Sequence, residues 1–391
     1  MEKKTAISII GYEKCTGCYG CLNTCPVQGA IEFKRDMEGF YKPFITEKCI
    51  ECGNCQKSCP VIVKNNKNEE KDIKTYSCWS KDKNILKNSS SGGIFSELAK
   101  EYLMNGGVVY GAKWFEGEII HIGITNFDEL GDLQKSKYLQ SKVETSYLEV
   151  KNRLNNGKKV LFVGTPCQIA ALNTIVTHEN LVTVDLVCHG LPSYKSFDKY
   201  IKEEFPRINK KNLKVDFRNK DEGWENFNLI FKIKEDIIAK NNLNRDPFFR
   251  GFLKNIYLNK ACYNCEFRTL PRQADITLGD FWGVPKPIKN IEGTSVVTIN
   301  SIKGFNLFEK ISENIIKMEV EYNLALKGNP CLAEYNMSTG DRSAFFEDID
   351  KMSFIDLQKK YWPFPNPIIS FIRRGLGVIK RKMIKIIRRE L

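Results

Sequence analysis

The sequence has no run approaching the eighteen or so uninterrupted apolar residues that a spanning helix requires. Its opening, MEKKTAISII, has neither a sustained apolar stretch nor a signal-peptide cleavage pattern. The expectation is a protein that does not cross a membrane and works in a reducing compartment, the cytoplasm. Also missing are a G-x-G-x-x-G fingerprint and a Walker loop. No motif has a groove-reading geometry, so the formal net charge of +13 does not by itself argue for nucleic-acid binding. That charge is uneven: residues 368–391 carry eight Lys or Arg against the single Glu390, a net +7, which leaves a body only mildly basic. What is present is a chain of 391 residues, 42% apolar, able to bury one large core beside a smaller module. Its fourteen cysteines would suggest disulfides in a small secreted protein, but this chain is large and its expected compartment is reducing.

The cysteines are patterned. CTGCYGCLNTCP at 15–26 and CIECGNCQKSCP at 49–60 both read C-x2-C-x2-C-x3-C-P, the spacing of a bacterial ferredoxin that holds two [4Fe–4S] clusters. Three closely set thiolates wrap one cube from a tight loop, and the fourth ligand comes from elsewhere. With the last cysteine of each run serving the other cluster, Cys15, Cys18, Cys21 and Cys59 hold one and Cys49, Cys52, Cys55 and Cys25 the second. Pro26 and Pro60, fixed in φ, turn the chain away after each terminal ligand. Zinc is the competing reading, but its sites usually pair cysteines across a longer insert. A chain holding two such clusters moves electrons one at a time. A short strand is expected at 6–10, and a hairpin over 30–46, turning at Asp36 to Gly39, joins the two loops. KNNKNEEKDIK at 64–74 is polar and aperiodic, the character of a linker, and closes a first unit over 1–68.

Beyond it, TYSCWS at 75–80 reads as a strand, SSSGG at 89–93 as a turn into a helix, and VVYGAKW as a further strand. A turn of this kind can offer N–H groups and hydroxyls to an anion at a helix N-terminus. An ordinary serine N-cap looks the same in sequence. KVLFV and LVTVDLVCHG read as buried strands of a parallel sheet, the first broken by Gly164-Thr165-Pro166 into a helix near Cys167, the second ending at Cys188-His189-Gly190. Two strands thus deliver a cysteine at the carboxyl end, where open α/β sheets place their sites. Cys262 and Cys265 alone read as half a zinc site or a redox pair. Added to Cys167 and Cys188 they make four ligands, enough for a third [4Fe–4S] cluster, with structural cysteines as the alternative. Cys78 and Cys331 read as structural thiols.

SSSGG, SKYLQSK, VLFVGTPCQIAAL, VDLVCHGLPS, FRNKDEGW, and CYNCEF followed by ADITLGDFWG occur in this order and resemble the β subunit family of coenzyme F420 hydrogenases and dehydrogenases. The resemblance covers residues 75 to about 335, and the doubled cysteine motif ahead of it matches the fused arrangement of several members. It implies an FAD-containing domain with a [4Fe–4S] cluster beside the flavin, passing electrons between a two-electron donor or acceptor and one-electron carriers. It implies Cys167, Cys188, Cys262 and Cys265 as ligands of that inner cluster. It further implies FAD contacts from Ser91, Gly92 and Gly93, from Lys137, Tyr138, Gln140 and Ser141, and from Gly164, Thr165 and Pro166. His189 has two readings, a proton donor to flavin or substrate and a histidine that hydrogen-bonds near the cluster and tunes its potential. Asp275 and Asp280 either bind the flavin ribityl chain or position substrate, or are local turn caps. Relatives extend to chlorophyll-derivative reductases and to proteins associated with bacterial polysaccharide synthesis, so the resemblance does not carry a substrate.

The expected architecture is therefore an α+β ferredoxin-like cluster domain (1–68), an α/β flavin-binding domain (75–345), and a final segment (346–391) with Pro363, Pro365 and Pro367 followed by a basic amphipathic helix. That helix would set Ile372, Leu376, Ile379, Met383 and Ile386 against Arg374, Arg381, Lys385 and Arg388. It suits either an anionic membrane surface or packing on the body. The expected function is an iron–sulfur flavoprotein oxidoreductase served by a redox partner protein or a small electron carrier. The rival is a non-catalytic electron-relay or docking subunit.

Overall fold

The computed structural model of the protein describes residues 4–64, 73–333 and 340–364. Most of the linker read at 64–74 and all of the helix read at 368–391 lie outside the described residues.

The described strands form three sheets. The hairpin is β1 (Ile31–Arg35) against β2 (Tyr41–Ile45), with Ile31 opposite Ile45 and Arg35 opposite Tyr41, and its turn falls at Asp36 to Gly39 as read from the sequence. A large sheet of nine strands contains β3 (Lys74–Ser80), β4 (Val108–Phe115), β5 (Glu118–Ile124), β6 (Ser141–Lys142), β7 (Val160–Gly164) and β8 (Leu181–Leu186). A three-stranded antiparallel sheet follows, β9 (Leu213–Asn219), β10 (Asn228–Ile233) and β11 (Asp236–Asn242). The chain then returns to the large sheet with β12 (Ile276–Asp280), β13 (Ser295–Ile299) and β14 (Ile315–Val320). The order there is β14-β3-β13-β12-β8-β7-β4-β5-β6. Its centre, β12-β8-β7-β4, is parallel, and its flanks are mostly antiparallel. β7 is buried at every residue, as a strand covered on both faces by helices should be.

One local expectation fails. Residues 6–10 are not a strand but the start of the helix Ala6–Lys14. The Ser8 amide donates to the Thr5 hydroxyl at 3.3 Å, and the Thr5 amide donates to the Ser8 hydroxyl at 2.9 Å, a reciprocal cap that begins the helix. A short apolar run without alternation does not distinguish strand from buried helix, and the cap decided.

The cluster module and the body share one core. Tyr19 and Tyr41 from the module pack in the same buried cluster as Tyr147, Phe162, Tyr194 and Phe217. Gly39, at φ +86°, lets the hairpin turn lie on the start of the helix Tyr194–Glu204; an added Cβ there would meet the Lys195 backbone nitrogen at 2.3 Å. Arg342 pairs with Glu38, and Arg35 with Glu118 and Asp198, across the same seam. At the other end, the helix Phe354–Tyr361 buries Phe354 and Leu357, and with Trp362 they join Phe248 and Tyr257 in the core. The packed body therefore runs to Trp362.

Candidate redox site

A cavity of about 550 Å³ lies at the carboxyl edge of the parallel strands, where β4, β7, β8 and β12 contribute Gly111 and Ala112, Val163 and Gly164, Leu186, and Leu278 to Asp280. This is the edge at which open α/β sheets gather ligands, and the volume is within the usual range for a small-molecule site. The cavity also touches Thr16 and Gly17 of the first cysteine loop, so the cluster module closes one side of it.

Each thiol of the body is placed by a specific local device. Thr165 caps the helix Pro166–Ile175 through a box with Gln168, its amide donating to Gln168 Oε1 at 2.9 Å, and Pro166 occupies the first helical position. This puts Cys167 in the first turn, with its Sγ 3.2 Å from the Thr165 hydroxyl. Cys188 follows β8, and Gly190, at φ +142°, lets that loop press on the Cys-x-x-Cys segment; a Cβ there would meet Leu258 at 2.8 Å and the Cys262 Cβ at 3.4 Å. The Leu191 amide points at Cys262 Sγ, 3.4 Å away. Arg268, buried, donates to the carbonyls of His189 and Cys262 at 3.3 and 3.4 Å.

The four thiols are close enough for their charges to act on one another. Burial, then Cys265, raises Cys167 well above the usual thiol range, with Cys188 adding to the effect. Burial, then Cys262 and, more weakly, Cys265, push Cys188 up to about 12. Cys262 rises to about 11 by burial and then by Cys265. Free thiols held this way keep their protons at neutral pH, and a bound metal centre would displace them. The module shows two more sets. Cys21 is raised well above the usual range by burial, then by Cys18, Cys15, Cys59 and Cys55. Cys25, Cys49, Cys52 and Cys55 together line a small cleft. Cys59 thus lies among the thiols of the first loop, and Cys25 among those of the second. No three His, Cys, Asp or Glu side chains among the described residues converge on a single-ion site. Thiolates on separate corners of a cube do not need to.

The sets stand in a row. Cys18 is near enough to Cys167 to raise its pKa, and the Tyr147 hydroxyl lies 2.9 Å from the Cys18 carbonyl and 3.0 Å from that of Gln168. Cys55 of the second set acts on Cys21 and Cys59 of the first. Cys52 is exposed to solvent, whereas Cys167 and Cys188 line the cavity.

Of the residues singled out as cofactor contacts, Ser91, Gly93, Lys137, Tyr138, Gln140, Ser141, Gly164, Thr165, Asp280 and His189 border the cavity; Gly92, Pro166 and Asp275 do not. Gly92 is pressed into the sheet. Its amide donates to the Ser295 hydroxyl at 2.9 Å, and a Cβ would lie 2.4 Å from the Cys78 carbonyl. Asp275 serves the fold, its carboxylate accepting from the Thr183 amide and hydroxyl and from the Ser301 hydroxyl at 2.8, 2.9 and 2.6 Å. Asp280 is held by Arg218 through two bonds of 2.9 and 3.1 Å and by Trp224 Nε1 at 2.9 Å. Gln140 borders the cavity but spends its amide on the cluster module, accepting from the Tyr41 amide at 2.9 Å and donating to the carbonyls of Gly17 and Tyr41 at 3.2 and 3.1 Å. The ring of His189 packs against Phe252, and its Nδ1 is 3.7 Å from Cys331 Sγ; burial pulls its pKa down to about 4, so it is neutral at pH 7.

Reading the sequence singled out neither Arg218 nor His121. Arg218, fully buried, stacks on Phe227 and Trp282 and anchors Asp280; its segment FRNKDEGW was part of the family pattern but had no role attached. His121 Nε2 donates to the Val163 carbonyl at 2.8 Å, and Nδ1 accepts from Ser141 at 3.0 Å. Gln168 Nε2 in turn donates to Ser141 at 2.8 Å. Nothing in EIIHIGI marks that histidine. Loss of hydration pushes Lys137 down to about 7. Its Nζ donates to the carbonyls of Asp132 and Gln134 at 3.0 and 2.6 Å, and the amide of the preceding Ser136 donates to the Ser90 hydroxyl at 2.8 Å.

Residues 157–322 match the family described as the C terminus of the coenzyme F420 hydrogenase/dehydrogenase beta subunit. Residues 7–60 match the 4Fe-4S dicluster domain. No curated protein matches the chain. A chain in a xenon-derivatised structure of the F420-reducing [NiFe] hydrogenase complex from Methanosarcina barkeri is similar at 20% identity, over 66% of this chain and 89% of that one, with a TM-score of 0.47. One chain thus matches an iron–sulfur domain and, after it, a hydrogenase/dehydrogenase beta-subunit domain.

Proposed function

We propose, for a chain whose residues 157–322 carry the C-terminal domain of the F420 hydrogenase/dehydrogenase beta subunit family and whose residues 7–60 carry a 4Fe-4S dicluster domain, that it is an iron–sulfur flavoprotein oxidoreductase. The observation that carries this reading is the cavity wall: Cys167 and Cys188 stand on it, and Thr16 and Gly17 of the first cluster loop close it. Any redox cofactor held there sits at the inner end of a row of thiols whose outer end, Cys52, meets solvent.

The lining fits a flavin nucleotide. The lining offers the Ser89 to Ser91 turn, the first turn of the helix Ile94–Met104 and Lys137, suited to a diphosphate. It also offers Tyr138, Phe227, Phe252 and Trp282, suited to a flat ring system. A flavin supplies exchange between two-electron and one-electron chemistry. The chain supplies placement. Cys167, Cys188, Cys262 and Cys265 fit a third [4Fe–4S] cluster against the cavity, Arg268 lends that set a buried positive charge, and neutral His189 stands beside Cys188, able to hold or pass a proton at its ring nitrogens.

Titration of flavin-depleted protein with FAD tests this. Binding is expected to weaken as pH rises through neutrality, because Lys137 carries its charge mainly below about 7 and a diphosphate favours the charged form. Lys137→Met should lower affinity roughly 10-fold or more at pH 6, since a charge-assisted hydrogen bond is worth about 1.5–3 kcal/mol, and should flatten the pH profile. FAD that fails to bind at any pH sinks the flavin reading. It would favour the relay subunit.

The segment 368–391 is further proposed to attach the protein to an anionic membrane surface, supported by its net +7 and by the aliphatic face of the helix read from the sequence. Attraction of about 1 kcal/mol per basic residue near such a surface is enough for reversible binding. Truncation after Pro367 should abolish co-sedimentation with anionic liposomes while neutral liposomes capture neither form. Equal capture of both forms refutes the attachment.

A further inference from the structure

Lys42 is the second residue of β2 and is 4% exposed. Its Nζ donates to the carbonyls of Tyr12, at 3.2 Å, and Cys15, and to Asn259 Oδ1 at 2.9 Å. Those three acceptors use all three of its protons, and all three are neutral. Among the described residues no carboxylate forms an ion pair with it, although a buried cation is costly unless a negative charge opposes it. Asn259 completes the arrangement. Its Nδ2 donates to the Cys15 carbonyl at 3.3 Å, and it caps the short helix Lys260–Tyr263 that carries Cys262. The ammonium thus stands between two thiol sets, and its field opposes the rise that burial imposes on both Cys15 and Cys262.

We propose that Lys42 sets the reduction potential of the cluster held by Cys15, Cys18, Cys21 and Cys59 and couples it to the Cys262 side. The missing counter-charge for the ammonium is the cluster itself. Reduction adds one electron to the cubane and makes or breaks no bond, so a fixed cation in contact with a ligand's own peptide favours the reduced state. Among the described residues Lys42 Nζ makes no hydrogen bond to the loop of Cys49, Cys52 and Cys55 or to Cys25, so the second cluster feels the charge less. Lys42 therefore makes the inner of the module's two clusters the better electron acceptor and draws electrons from the exposed cluster toward the cavity. This rests on the cysteine assignment given above for the dicluster module.

The test is an EPR-monitored redox titration of full-length, anaerobically prepared holoprotein, with iron counted in every sample. In Lys42→Met the equilibrium constant for reducing the inner cluster of the module should fall at least tenfold, a shift of about 59 mV to lower potential for one electron. The exposed cluster should move much less, and Lys42→Arg should restore most of the loss. Asn259→Asp keeps the lysine but places a negative charge on its Nζ, and should shift the same cluster in the same direction. An iron-replete Lys42→Met with wild-type potentials overturns the proposal, as does an equal shift of both clusters. If Lys42→Met cannot retain iron, Asn259→Asp decides, and an unmoved potential there overturns it. Wild-type protein without the two ferredoxin-type signals would overturn the cluster assignment itself, an outcome distinct from unshifted potentials.

Discussion

Replacing Cys262 and Cys265 together with Ala is expected to lower the iron content of anaerobically prepared protein from about twelve atoms per chain to about eight, four per cubane. The two ferredoxin-type EPR signals should survive, because their ligands lie in the separate loops at 15–25 and 49–59. Reduction of bound flavin by a one-electron donor protein should fall to background. The reason is position. Cys262 and Cys265 complete the set whose other members, Cys167 and Cys188, stand on the cavity wall. With them gone, the row of sites is broken between Cys18 and the cavity. The short helix Lys260–Tyr263 is capped by Asn259, whose amide donates to the Leu191 carbonyl at 2.9 Å, and is held by Arg268 through the Cys262 carbonyl, so losing two sulfur atoms there should leave the fold intact. Unchanged iron in the double variant would show that these cysteines are structural.

Replacing Gln140 with Leu is expected to destabilise the protein by about 3 kcal/mol or more. The side chain is buried, and its loss leaves the Tyr41 amide and the carbonyls of Gly17 and Tyr41 without their partner, each such group costing about 1–3 kcal/mol. The damage falls on the seam between cluster module and body, where the Tyr194 hydroxyl also donates to the Gln140 carbonyl at 2.9 Å. Thermal denaturation of anaerobic holoprotein should therefore show a lower midpoint, with flavin content per folded chain little changed. The opposite result, wild-type stability with loss of flavin, would make Gln140 a cofactor contact, as the family resemblance implies.

The cysteines and Gln140 mark what could and could not be read from the chain alone. Cysteine spacing is local and chemically constrained, so the nearness of Cys59 to the first loop and of Cys25 to the second was legible in the doubled motif itself. The buried runs at β7 and β8, each followed by a cysteine, were legible for the same reason. Gln140 was not, because nothing in SKYLQSK says that its amide faces a peptide 99 residues away. Gly92 and Asp275 sit in motifs rich in turn residues, and only the packing shows that Gly92 abuts the Cys78 carbonyl and that Asp275 is taken up by Thr183 and Ser301. The sheet β9-β10-β11 was missed because the family pattern gave FRNKDEGW without an element around it. The helix Ala6–Lys14 was misread because the four apolar residues of AISII fit either period.

The most direct measurement is the iron and flavin content per chain of full-length protein purified without oxygen. The arrangement of the twelve cysteines and the cavity that Cys167 and Cys188 border predicts about twelve irons and one FAD. Eight irons and no flavin would contradict it, leaving a dicluster electron carrier joined to a body with an empty pocket.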